Sequence, residues 1–108
     1  MISKFQYPVS ERDIAVLHRY MKRHALGSKN ARKSKVISRD LGYQRHTNSA
    51  PLRAVIRAAV LKGIPIVGTQ RGFYLAARQS EVDSAVKSLR YRANQIRERF
   101  TALEEARV

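Results

Sequence analysis

The chain has 108 residues, 22 of them Lys or Arg and 8 Asp or Glu, a formal charge of +14 with a pI near 11. That length suits one domain, and 44% hydrophobic content suffices for a modest core, which excludes wholesale disorder. The absence of cysteine excludes disulfides and thiolate chemistry, no apolar run is long enough to cross a membrane, and the charge favours a polyanionic partner, nucleic acid first. The first eight residues lack the apolar stretch of a signal peptide, so a cytoplasmic protein is expected.

Ser10-Glu11-Arg12-Asp13 reads as a helix start, with Ser10 as cap and two acids against the helix dipole. Ile14, Leu17 and Met21 recur at helical spacing, and Gly27 is the expected stop. A polar, basic connection follows. Ser34 is the expected cap of a short second helix holding Val36, Ile37 and Leu41, which stops at Gly42. A third helix is predicted to start between Asn48 and Pro51, with Leu52, Val55, Ile56, Ala59 and Val60 as its apolar stripe, and to end at Lys62-Gly63. Ile64–Val67 and Phe73–Ala76 read as two strands joined by the five-residue loop Gly68–Gly72. From Ser80, taken as a cap, Val82, Val86, Leu89, Ala93, Ile96, Phe100 and Leu103 are spaced 4, 3, 4, 3, 4, 3, the heptad pattern of a coiled-coil seam.

The predicted fold class is mainly α with a small β-hairpin wing, a winged helix-turn-helix followed by a long C-terminal helix. Residues 1–78 are taken as the DNA-binding domain and 79–108 as a dimerisation helix. The charge follows this division: residues 1–78 carry 16 basic and 3 acidic side chains, a balance of +13, whereas residues 79–108 carry 6 and 5. The segment Val55–Ala77, with its Lys62-Gly63-Ile64-Pro65-Ile66 break and its Gly72-Phe73-Tyr74-Leu75 return strand, resembles the recognition-helix-to-wing segment of bacterial winged-helix repressors and their phage-encoded relatives. That resemblance implies a third helix in the DNA major groove and a hairpin over the adjacent backbone.

Within this reading Arg53 and Arg57, four residues apart and opposite the apolar stripe, are the expected major-groove readers, since Arg suits bidentate contact with guanine. Arg45, His46, Thr47, Asn48 and Ser49 precede or open the helix, where free N–H groups and a positive dipole end suit phosphate. Arg45 and His46 are the stronger phosphate contacts and Asn48 a base reader, while one of Thr47, Asn48 and Ser49 is needed as a cap. Gln70 and Arg71 at the hairpin tip are placed for phosphate or the minor groove. Lys29, Arg32, Lys33 and Lys35 supply four cations in seven residues for non-specific contact.

The seam of Val82, Val86, Leu89, Ala93, Ile96, Phe100 and Leu103 needs a cover, and a second copy of the chain is the expected one, in parallel or antiparallel pairing. His18, His24 and His46 have no cysteine partners and no zinc-site spacing, so neither metal nor cofactor is expected. A phosphate loop, a nucleophile with its base and paired carboxylates are all missing, so an enzyme is not expected, nor is a small-molecule sensor. The expected function is sequence-specific duplex DNA binding by a dimeric transcriptional regulator. A phage replication, recombination or packaging accessory protein, or a basic module binding an acidic host protein, are the alternatives.

Overall fold

The computed structural model describes residues 8–43 and 49–108. Its elements are α1 (Glu11–His24), a 3₁₀ turn (Ser28–Asn30), α2 (Ser34–Leu41), α3 (Ala50–Leu61), β1 (Ile66–Thr69), β2 (Gly72–Leu75) and α4 (Gln79–Glu105). The chain is mainly helical, with one small antiparallel hairpin after the third helix and a long helix at the end, in an arrangement that is winged-helix-like.

The start of α1 is a reciprocal capping box. The Ser10 hydroxyl accepts from the Asp13 N–H, and the Asp13 carboxylate accepts from the Ser10 N–H, both at 3.1 Å. Ile14, Leu17 and Met21 are buried, as their spacing predicts. The helix ends at His24 rather than running to Gly27, because strand pairing takes over there. The Ala25 carbonyl accepts from Leu75 at 2.7 Å, and the Gly27 N–H donates back to Leu75 at 2.8 Å. Farther along, Arg32 and Phe73 exchange two backbone hydrogen bonds, at 2.9 and 2.8 Å. The segment between α1 and α2 therefore lines one edge of β2 while β1 pairs with the other.

This pairing also shifts the start of α2. Lys33 occupies the cap position without a side-chain cap bond, and Ser34 is already helical. The far end follows expectation: Gly42 takes φ +78, and the Tyr43 N–H reaches back to the Ser38 carbonyl at 2.8 Å in a Schellman-type closure. Helix α3 opens on Ser49 at φ +60, with Pro51 in the first turn where its missing N–H is harmless. Leu52, Val55, Ile56 and Ala59 are buried, but Val60 is exposed at the last turn.

The hairpin differs from the sequence expectation in loop length. The register Ile66↔Leu75, Val67↔Tyr74, Gly68↔Phe73, Thr69↔Gly72 leaves only Gln70 and Arg71 as the turn. Gly68 is a strand residue, and its absent Cβ makes room for the Phe73 ring, which a Cβ would approach to 3.0 Å. Gly72 carries the conformational demand instead. It sits at φ +121, and a Cβ there would lie 2.1 Å from the Arg32 carbonyl oxygen.

One core joins these elements: Leu17 and Met21 of α1, Ile37 of α2, Leu52, Val55, Ile56 and Ala59 of α3, and Ile66 and Leu75 of the hairpin. Helix α4 contributes no buried residue to it. The Cα radius of gyration is 16.1 Å, against about 13 Å for a compact chain of this length, because α4 projects from the body.

Candidate nucleic-acid interface

Helix α3 buries one face against α1 and the hairpin, which obliges its other face outward. Arg53 and Arg57 are both exposed on that face. Beyond the helix, the β1–β2 turn exposes Gln70 and Arg71. Thr69 stiffens the turn from inside: its hydroxyl donates to the Gly72 carbonyl at 3.1 Å and accepts from the Arg71 N–H at 3.2 Å. The turn is also held from outside, because the Lys33 ammonium donates to the Gln70 carbonyl.

The four cations of the α1–α2 connection have different surroundings. Arg32 is half-buried, and its Nη1 donates to the Tyr20 hydroxyl at 3.0 Å and to Asp40 Oδ2 at 3.1 Å. Tyr20 in turn donates to the same Asp40 oxygen at 2.6 Å. The Tyr20 hydroxyl bond, followed by those from Arg39 and the charges of Arg39 and Arg32, holds the Asp40 carboxyl below the usual carboxylate range despite some desolvation. Burial, reinforced by the bond to Asp40, pushes the Tyr20 phenol up. Arg32 is thus a brace between α1 and α2 through its Nη1 group, with its side chain 35% exposed. Asp40, eight residues on, is brought beside it by α2. Lys29 and Lys35 are exposed and make no ion pair among the described residues.

Ser49 needs correction as a DNA contact. Its residue is 4% exposed, and its hydroxyl accepts from Ser38 at 3.3 Å inside the α2–α3 packing. Nor does it cap α3 through its side chain. Arg45, His46, Thr47 and Asn48 lie outside the described residues.

No protein-family model, curated protein or solved structure matches the chain.

Helix α4 starts differently from expectation. Ser80 lies inside the helix, and the cap position belongs to Arg78. The Glu81 carboxylate performs the capping. One oxygen accepts from the N–H groups of Ala77 at 2.7 Å and Arg78 at 3.2 Å, and the other from Ser28 at 2.9 Å. These backbone donors, Ser28 foremost, hold its carboxyl below the ordinary range. From this clamp α4 runs for 27 residues, and its seam is open: Leu89, Ile96, Phe100 and Leu103 are all more than half exposed, with Ala93 and Val86 exposed and Val82 half-buried.

Between α3, the hairpin and the first turns of α4 lies an open cleft of about 930 Å³. Arg53 enters it from α3, Thr69 and Gln70 from the hairpin, and Ser88 and Arg92 from α4. Arg92 was not among the residues expected at an interface. Its signal in the sequence is faint: Ser84, Ala85 and Ser88 are a strip of small residues on the α4 wall of the cleft, and Arg92 follows one turn later on the same strip. Among the described residues, no three His, Asp or Glu side chains gather in a metal-binding arrangement.

Proposed function

We propose that this chain is a sequence-specific duplex DNA-binding protein that acts as a dimer and regulates transcription, in the manner of the bacterial and phage winged-helix repressors it resembles. Helix α3 enters the major groove with Arg53 and Arg57 toward base edges, the Gln70-Arg71 turn reaches the backbone, and two copies pair through the α4 seam to set the distance between half-sites. The observation that carries the reading is that Arg53 of α3 and Gln70 of the hairpin turn open onto one cleft, on a body with a charge balance of +13. A reading helix and a wing must address the same duplex, and these two do address the same space.

Selection of bound sequences from random duplexes, followed by footprinting on the selected site, tests the proposal. A short, two-fold symmetric site, bound in large excess over random DNA, is the expected outcome. Equal affinity for every duplex overturns the regulator and leaves a packaging or replication role. Indifference to DNA at physiological salt overturns DNA binding altogether and favours a protein-interaction module.

A further inference from the structure

We infer that α4 is itself part of the DNA-contacting surface, with Arg92 and Ser88 binding phosphates of the strand that runs past the wing. This rests on the DNA-binding reading above and extends it to an element whose sequence pattern marks it only for pairing.

The cleft is lined by Arg53 of α3 and Arg92 of α4, with Ser88 of α4 and Gln70 of the hairpin turn beside them; the Thr69 hydroxyl is spent on its own turn. Guanidinium and hydroxyl donors are the groups that dominate phosphate contact. The one acid on the wall, Glu81, has its carboxylate held by three backbone N–H groups at the head of α4. The cleft is open rather than enclosed, unlike the pockets that bury small molecules. An anionic chain is the occupant that the charges fit.

Pairing and DNA contact use neighbouring sides of α4. At 3.6 residues per turn, Glu81, Ser84, Ala85, Ser88 and Arg92 centre on one face, and the seam of Val82, Val86, Leu89, Ala93, Ile96, Phe100 and Leu103 centres roughly a quarter-turn away. Leu89, near the centre of the seam, also lines the cleft, so the two faces meet there. A helix paired along its seam therefore still turns Arg92 toward the wing. The residue that belongs to the α4 element by sequence belongs to the interface by position.

Full-length protein with Arg92→Gln, compared with wild type and with Arg97→Gln on the opposite face of α4, tests the inference through the salt dependence of binding to a random-sequence duplex. Wild type is expected to bind with a steep slope of log affinity against log salt. Arg92→Gln is expected to lower that slope by about 1, the signature of one lost phosphate contact, and Arg97→Gln to leave it near wild type. Ultracentrifugation should show the same oligomeric state for all three. If Arg92→Gln matches wild type, or if both variants fall equally, the inference is overturned while the DNA-binding reading stands. If wild type itself fails to bind duplex, that reading falls first. Tethering a backbone-cleaving iron chelate at Ser88→Cys provides an independent readout. Cuts at the backbone flanking the wing contact support the placement, and an absence of cuts on bound DNA refutes it.

Discussion

At the scale of single residues, two positions show how one side chain, or the lack of one, fixes distant chain segments. Gly72 holds φ +121 and leaves no room beside the Arg32 carbonyl, so it joins the hairpin to the α1–α2 connection by having no Cβ. Gly72→Ala is expected to cost about 1–3 kcal/mol from the positive φ alone, and more from displacing Arg32, measured by denaturant unfolding. Asp40, with Tyr20 and Arg32, is the polar counterpart. Its carboxyl is depressed in the fold, as is that of Glu81, so the unfolded chain takes up their protons first as pH falls. Their contribution is present above the ordinary carboxylate range, roughly pH 4, and disappears as pH drops through the lowered folded values. Thermal melts across pH 2–6 should show this loss in wild type and a shallower one in Asp40→Asn. Sequence reading found the Ser10 cap, because Ser-x-x-Asp is a local signal closed within one turn. It could not find the Arg32 brace, whose partners stand 12 and 8 residues away and meet only after α1 and α2 pack.

At the scale of elements, helices with a strong apolar period were legible, and so were the ends closed by local signals at Ser10, at Gly42 and around α3. The buried faces of α1 and α3 agree with the spacing of Ile14, Leu17 and Met21, and of Leu52, Val55, Ile56 and Ala59. The boundaries moved wherever a tertiary hydrogen bond claimed the backbone: α1 stopped early for Leu75, α2 began at Ser34 beside the Arg32–Phe73 pairing, and α4 began at Gln79 under the Glu81 carboxylate. The extra strand-like edge along β2 had no signal, since residues 25–32 show no alternation of apolar and polar side chains. For the candidate interface the same contrast holds. Arg53 and Arg57 are exposed where helical spacing put them, whereas Ser49 turned inward and Arg32 was claimed by Asp40. Arg53→Ala is therefore expected to relax the preference for a selected site by a factor equivalent to about 1–3 kcal/mol. Lys35→Ala is expected to weaken all duplexes alike and to lower the salt slope by about 1. Competition binding with selected and random duplexes separates the two.

At the scale of the whole molecule, the body holds its core without α4, and α4 holds an open apolar seam without a body to cover it. Ile96 and Phe100, 61% and 59% exposed, are the largest seam side chains in its outer half. In the proposed dimer they meet their counterparts, so Ile96→Glu with Phe100→Glu should give a monomer by sedimentation velocity while leaving the helical signal of the body intact. A wild-type monomer at micromolar concentration would remove the pairing claim. Glu81 is the point where these two halves of the molecule meet, and its position gives it leverage. A 27-residue helix is about 40 Å long, so a tilt of roughly 10° at the clamp carries the far end by about 7 Å. With bases stacked about 3.4 Å apart, that displacement is some two base pairs. In the proposed dimer, one carboxylate gripping three backbone amides is the fulcrum of a ruler, and its angle sets the half-site spacing that the proposed dimer spans.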